Sequence, residues 1–241
     1  MDYVELKDRL VLWIRDWFER NGRGCCAVLG MSGGKDSTVS AALCVEALGK
    51  ERVIGVAMPA RFQGLNDADQ ICRHLGIRYM CVPIGDIIDG FGALRGSIEG
   101  GLSVQTEQNI PPRVRMTVLY AVSQSLNGRV VNTCNLSEDW IGYATRWGDS
   151  AGDFSPLGGL VVQEIKGIGH ALGIPSKWVE KTPDDGLPHS CSDEEKFGFT
   201  YAVLDRYIRT GQCEDPAIKE KIDSLHSRNL FKMYMPEHFE I

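Results

Sequence analysis

The chain has 241 residues, with a hydrophobic content of 43% and a charged content of 24%, which are typical of a globular protein with one substantial core. A net charge of −6 and the lack of long basic runs argue against a nucleic-acid partner. No apolar stretch reaches the roughly 18 residues that a membrane span needs, and the N-terminal segment lacks the apolar core of a signal peptide. We therefore expect a cytoplasmic protein that binds neither nucleic acid nor membrane.

The eight cysteines are scattered through apolar segments, and none forms a Cys-x-x-Cys pair. This distribution argues against a zinc or iron–sulfur site and fits reduced thiols in a cytosolic protein.

The first predicted element is a helix over residues 3–20, whose apolar side chains form one broad stripe. Such a stripe suits either packing on the chain's own domain or an interface.

The next element is an apolar strand (25–31), followed by the hexapeptide Ser32-Gly33-Gly34-Lys35-Asp36-Ser37 and a helix to about Leu48. Free N–H groups and the helix dipole favour an anion at such a strand-to-helix turn, and the glycines allow close approach of the backbone. The two serine hydroxyls and the Lys35 ammonium add further donors. The segment therefore predicts a phosphate-binding loop.

This loop differs from the Walker A pattern, because Lys35 is followed by Asp36 and not by serine or threonine. A carboxylate in a phosphate-binding turn repels the ligand unless a divalent cation lies between them. Asp36 therefore predicts Mg²⁺.

Strands and helices alternate through the following residues. We predict strands at 52–57 and 79–84, helices at 67–75 and 86–91, a helix that Asn109 caps with Pro111 and Pro112 in its first turn, and a fourth strand at 129–133. This pattern predicts an α/β fold, an open doubly wound parallel sheet with helices on both faces.

Ligands of such sheets bind at the carboxyl ends of the strands, where the strand order reverses. If the first and fourth strands are neighbours there, the loop after the fourth strand brings Glu138 to the same cavity as Asp36. Two carboxylates in one cavity are costly without a cation, so the pair strengthens the prediction of magnesium.

The segment 139–153 is dense in aromatic, glycine and charged residues, as expected of a site for a flat polar ring. An amphipathic helix follows at 161–172, then a long loop at 175–191 of the kind that often acts as a lid. One helix from Asp193 to about 210, another from Asp215 to about Met233, and a tail complete the predicted elements.

Together these motifs resemble the ammonia-dependent NAD synthetases of the N-type ATP pyrophosphatase superfamily, whose fold is adenine nucleotide alpha hydrolase-like. The hexapeptide alone indicates only the superfamily. Five further stretches narrow the resemblance, which covers the chain from about residue 5 onward: Asn109–Met116, Asn132–Glu138, Gly142–Asp149, Asp184–Leu187 and Asp193–Tyr201.

The resemblance implies a two-step amidation. The nicotinate carboxylate of deamido-NAD attacks the α-phosphorus of ATP and releases pyrophosphate; ammonia then displaces AMP to give NAD. Mg²⁺ would be the cofactor and ATP a co-substrate.

The resemblance also implies a role for individual residues. Asp36, Lys35 and Asp149 match catalytic positions, and Asp36 and Glu138 match the metal ligands. The positions that match the ATP site are Gly30, Ser32, Gly33, Gly34, Lys35, Asp36, Ser37 and Thr133. Those that match the deamido-NAD site are Arg113, Tyr143, Arg146, Asp153 and His226.

Three positions depart from the family pattern. Many relatives carry lysine where this chain has Val162, threonine or serine where it has Asp184, and lysine where it has Ser227. Either another residue, such as Lys166, Lys177 or Lys181, compensates for the lost contacts, or the chain is a branch of the family with weaker or altered nucleotide binding.

Two alternatives remain open at this stage. One is another ATP pyrophosphatase, GMP synthetase-like or tRNA-modifying; the other is a non-catalytic nucleotide-binding relative. The resemblance further implies a homodimer, and we expect residues 1–241 to form one domain without a glutaminase domain.

Overall fold

The computed structural model describes residues 1–60, 65–181 and 193–239. In chain order its elements are α1 (Tyr3–Asn21), β1 (Cys26–Gly30), α2 (Lys35–Leu48), β2 (Val53–Ala57), α3 (Leu65–Leu75), β3 (Arg78–Cys81), α4 (Gly85–Asp89), α5 (Gly92–Ser97), α6 (Val104–Ser125), β4 (Gly128–Val130), α7 (Leu136–Trp140), α8 (Val162–Ala171), α9 (Ser176–Val179), α10 (Asp193–Phe197), α11 (Tyr201–Thr210) and α12 (Pro216–Asn229). The Asp184–Leu187 motif lies outside the described residues.

The four strands form one parallel sheet in the order β3-β2-β1-β4. The chain runs outward from β1 through β2 to β3, then crosses back to place β4 on the other side of β1. Val28 pairs with Ile54 on one side and with Val130 on the other. This arrangement confirms the predicted α/β class, and it meets the condition that the first and fourth strands are neighbours at the reversal of strand order.

Helices cover both faces of the sheet, as predicted. Because side chains alternate along a strand, Ala27 and Leu29 enter one core while Val28 enters the other. The first core is closed by α1, α2, α8 and α9, and the second by α4 and α6.

The apolar stripe of α1 packs mainly on its own domain. Ile14 and Phe18 are fully buried in the first core, and Trp17 stacks on Phe154 with ring centroids 4.5 Å apart. Val4 and Leu12 on the same helix remain exposed.

The predicted start of the helix before β4 is wrong. The helix begins at Val104, where the Ser103 side chain accepts from the Thr106 N–H, so that Pro111 and Pro112 lie inside it. Proline inside a helix removes backbone donors and disfavours the element. Here Ile110 and Val114 flank the two prolines and pack into the second core, and this tertiary packing outweighs the local preference.

Two further boundaries differ from the prediction. The helix expected from Asp193 onward divides into α10 and α11, because Gly198 adopts φ +77° and the Thr200 side chain caps a new helix. The last helix ends at Asn229 and continues as a 3-10 turn over Leu230–Met233. No helix in the described parts of the chain is both long and apolar enough to cross a bilayer.

Candidate active site

The hexapeptide forms a tight turn between β1 and α2, at the carboxyl end of the central strand. Gly33 adopts φ +82°, and a Cβ there would lie 2.9 Å from Cβ of Asp67, so both the conformation and the space require glycine. Gly34 caps α2, and its carbonyl accepts from the Ser37 and Thr38 hydroxyls. The first N–H groups of α2 have no partner within the helix, as in an anion-binding terminus.

Lys35 is a buried cation, only 3% exposed. Its ammonium donates to the Asp36 carboxylate at 2.9 Å and lies 5.8 Å from the centroid of the Tyr201 ring. Burial lowers the pKa of Lys35, but Asp36 and Glu138 outweigh it and hold that pKa above its ordinary value. The positive charge is therefore kept at the base of the loop.

The loop between β4 and α7 meets the phosphate-binding loop across the reversal of strand order. Asn135 caps α7 with its side-chain oxygen and donates from Nδ2 to the Asp36 carboxylate at 3.3 Å. Thr133, a predicted ATP contact, lies in this same connection. Desolvation and the nearby Asp36 raise the pKa of Glu138 to about 8.

The two carboxylates suit Mg²⁺. Desolvation and the repulsion between Asp36 and Glu138 disfavour two ionised carboxylates here unless a cation neutralises them. Mg²⁺ is commonly bound by one or two carboxylates together with waters and phosphate oxygens. Within the described residues no group of three or more His, Cys, Asp or Glu side chains could hold a metal by itself. The site therefore fits a metal that is shared with a phosphate ligand.

A second feature is a cavity of about 390 Å³. It is lined by three of the residues that the resemblance assigns to the deamido-NAD site, Arg113, Tyr143 and Arg146. The Arg146 guanidinium lies 5.2 Å from the Trp147 ring centroid and 5.1 Å from that of Phe231. Arg113 Nε donates to the Arg146 carbonyl at 3.4 Å. The cavity thus combines cations with aromatic surfaces, which suits a phosphate attached to a flat ring.

The backbone beside this cavity is strained at Trp147, a bulky residue with φ +61°. Such a conformation costs on the order of 1–3 kcal/mol and is concentrated at functional sites. It holds the Trp147 ring half exposed against Arg146.

Asp149 and Asp153 both accept backbone hydrogen bonds. Asp149 accepts from the Thr145 N–H at 2.7 Å, and desolvation raises the pKa of its carboxyl. Asp153 accepts from the Val130 N–H at 2.7 Å and from the Tyr120 hydroxyl at 3.3 Å, next to the edge strand β4.

His226 does not line the cavity that Arg113, Tyr143 and Arg146 line. Its ring stacks on Trp140 at 4.0 Å, and Nδ1 is 2.8 Å from the Trp140 carbonyl oxygen.

Sequence reasoning missed several residues that line or face the site, namely Asn135, Asp193, Tyr201, Phe231 and Lys232. Tyr143 donates to Asp193 at 2.5 Å, and Lys232 donates to the Gly142 carbonyl at 2.7 Å. The tail position of Lys232 carries no local signal, whereas Asn135 and Tyr201 stand inside motifs of the resemblance and could have been singled out there.

Position 162, where the resemblance implies lysine, is buried in this chain. Val162 is a core residue, 3% exposed, and its N–H donates to the Ser137 hydroxyl at 3.2 Å. Of the three lysines expected to compensate, Lys166 pairs with Glu180 and Lys177 lies over Trp178. The third, Lys181, is 2.5 Å from Asp67, the residue that faces Gly33.

A parallel sheet with a phosphate-binding turn at its reversal point, paired carboxylates and an adjoining cationic cavity defines a nucleotide-binding α/β protein of the ATP-splitting type. The model of one family, NAD synthase, matches residues 6–240. The chain belongs to the NAD synthase family.

Relatives and solved structures agree with this assignment. The NH(3)-dependent NAD(+) synthetase of Thermococcus sibiricus is 38% identical over 210 residues, which cover 86% of this chain and 81% of the relative. The NMN synthetase structure from Francisella tularensis superposes with a TM-score of 0.90 at 28% identity, covering 100% of both chains. The NH3-dependent NAD synthetase structure from Campylobacter jejuni gives 0.80 at 30% identity, again over 100% of both.

Proposed function

We propose that the protein is a ligase that amidates deamido-NAD with ammonia to form NAD, at the expense of ATP, and that it releases AMP and pyrophosphate. The observation that carries this proposal is the meeting of the Lys35–Asp36 pair with Asn135 and Glu138 at the reversal point of the sheet, next to the cationic cavity. Family membership favours this activity over a tRNA-modifying or a GMP-forming one.

Asp36 and Glu138 would hold Mg²⁺, which neutralises negative charge on the phosphates when it is bound. The phosphate-binding residues are Gly30, Ser32, Gly33, Gly34, Lys35, Asp36 and Ser37, with Thr133 from the facing loop. Lys35 stabilises the charge that develops on pyrophosphate as the bond between the α- and β-phosphates breaks. In such a role one lost contact typically costs about 3 kcal/mol.

Deamido-NAD, the acceptor of the ammonia nitrogen, would bind in the cavity that Arg113, Tyr143 and Arg146 line, with the two arginines on its phosphates and Tyr143 against its nicotinate ring. Asp153 and His226, which the resemblance alone assigns to the acceptor, belong to this proposal as well. After the adenylate has formed, ammonia attacks the acyl carbon and the bond to AMP breaks. Asp149 accepts the proton that the attacking nitrogen loses.

The position of Lys181 indicates how the chain could replace the cation that the family pattern has at position 162, where this chain has Val162. Its ammonium is held by Asp67 at the edge of the phosphate-binding loop, within reach of the region where the terminal phosphates would lie. We propose that Lys181 supplies the cation that many relatives provide from the position of Val162.

Replacement of Arg146 by alanine is expected to raise the KM for the acceptor about tenfold or more, with a smaller effect on kcat. The guanidinium binds the acceptor in the ground state, and a hydrogen bond to a charged group is worth about 1.5–3 kcal/mol. Initial rates at varied acceptor and saturating ATP measure the effect. Arg206→Ala, which removes a surface cation paired with Glu214, is the matched control.

A second candidate acceptor is nicotinic acid mononucleotide, the acid counterpart of NMN. The NMN synthetase structure has a higher TM-score than the NAD synthetase structure at equal coverage, 0.90 against 0.80. This closer overall likeness favours the shorter acceptor.

One assay tests both candidates. Purified protein with Mg²⁺, ATP and ammonium is given either deamido-NAD or nicotinic acid mononucleotide, and AMP and the amide product are measured. Faster turnover of the first supports NAD synthesis, and faster turnover of the second supports NMN synthesis. The absence of AMP with both acceptors would contradict the ligase function.

We further propose that the protein acts in the cytoplasm as a homodimer and that residues 1–241 form one domain. Val4 and Leu12 of α1 are exposed apolar side chains available to an interface. Sedimentation velocity measures the oligomeric state.

A further inference from the structure

Tyr201 stands at the start of α11, and its buried hydroxyl has no hydrogen-bond partner among the described residues. The residue is 6% exposed. An unsatisfied buried polar group is destabilising, so native structures seldom retain one without a reason.

The surroundings of this hydroxyl are those of the proposed Mg·ATP site. The Lys35 ammonium lies 5.8 Å from the Tyr201 ring centroid. Desolvation raises the pKa of the Tyr201 phenol, and the nearby carboxylates of Glu138, Asp193 and Asp36 raise it further. The hydroxyl therefore remains a protonated donor close to the carboxylates that we propose as metal ligands.

The other tyrosine on the same helix behaves differently. Tyr207 donates to the Asp223 carboxylate at 2.5 Å, and so its hydroxyl is satisfied by the fold itself. Tyr201 and Tyr207 are close in sequence and share a helix, but only Tyr207 has a structural partner among the described residues.

We infer that Tyr201 is an ATP-binding residue, whose hydroxyl donates a hydrogen bond to a phosphate oxygen of Mg·ATP. This inference rests on the proposed function, because it needs ATP in the loop. Lys35, packed against the Tyr201 ring, and the hydroxyl would then approach the phosphates from two elements that are more than 160 residues apart in sequence. No residue of α11 was predicted to contact ATP.

The test is Tyr201→Phe, which keeps the ring against Lys35 and removes only the hydroxyl. Without ligand, Tm should be unchanged or higher, because an unsatisfied group has been removed. Affinity for a non-hydrolysable ATP analogue with Mg²⁺, measured by calorimetry, should fall about tenfold or more. Tyr207→Phe should show the opposite pattern, a lower Tm with unchanged affinity.

Three other results would overturn the inference, and each would point to a different cause. Equal affinity of the wild type and Tyr201→Phe would show that the hydroxyl does not contact the nucleotide. A clearly lower Tm of ligand-free Tyr201→Phe would show that the fold already satisfies the hydroxyl. If the wild type itself bound no Mg·ATP analogue, the proposed function would fail first and the role of Tyr201 with it.

Discussion

Replacement of Asp36 by asparagine should lower kcat about 100- to 1,000-fold while the protein still folds. The amide keeps the shape of the side chain but removes the charge that binds the metal, and the loss of one such electrostatic contact typically costs 10²–10³ in rate. The fold should tolerate the change, because Glu138 no longer faces a second carboxylate and can ionise next to buried Lys35. AMP release at saturating substrates measures the rate, and circular dichroism follows unfolding.

The matched control is Asp69→Asn on α3. It removes one negative charge from a surface pair with Arg73 and should leave kcat unchanged. Near-normal turnover of Asp36→Asn, with the Mg²⁺ dependence of the wild type, would refute the metal-binding role. Loss of folding in Asp36→Asn would instead show that the carboxylate is needed structurally to pair with Lys35.

The second large effect is expected from Gly33→Ala compared with Gly24→Ala. Both glycines have left-handed backbone conformations, φ +82° and φ +76°, so each substitution costs about 1 kcal/mol in strain. A Cβ at position 24 meets nothing within 4 Å, but one at position 33 lies 2.9 Å from Cβ of Asp67. Only Gly33→Ala must therefore displace the phosphate-binding loop.

Apart from the destabilising effect of the clash at position 33, we expect the two variants to have similar Tm values. Their affinities for ATP should differ sharply. Gly33→Ala should weaken binding of an ATP analogue at least 30-fold, about 2 kcal/mol, since several loop N–H donors move together. Gly24→Ala should bind like the wild type. Calorimetric titration decides, and equal affinities would show that the Gly33 turn does not cradle phosphate.

The sheet and the core of the site could be predicted because their signals are local. The turn at Ser32–Ser37 is encoded by small residues between an apolar strand and a helix, and alternation of elements implies parallel strands. The approach of Glu138 to Asp36 required one further assumption, that the first and fourth strands are neighbours, and the strand order of the structure meets it. The structure and the family match bear out the fold and the resemblance.

The parts that escaped prediction depend on distant contacts. The start of α6 at Val104 is decided by packing of Ile110 and Val114 on the sheet, against the local preference of two prolines. Lys232 reaches Gly142 from 90 positions away. In the sequence Tyr201 looks like an ordinary core residue. In the structure it differs from one because its buried hydroxyl has no hydrogen-bond partner among the described residues.

The pairing of β4 with β1 joins segments that are about a hundred residues apart, and the Asn135–Asp36 hydrogen bond spans 99 positions. Closing so long a loop is entropically costly, and β4 is a short edge strand of only three residues. A nucleotide bound to the loops after both strands would clamp this edge in place and stabilise the folded state by mass action. The bound substrate would then stabilise the position of β4 at the sheet edge. The enzyme would therefore resist proteolysis best while substrate is bound.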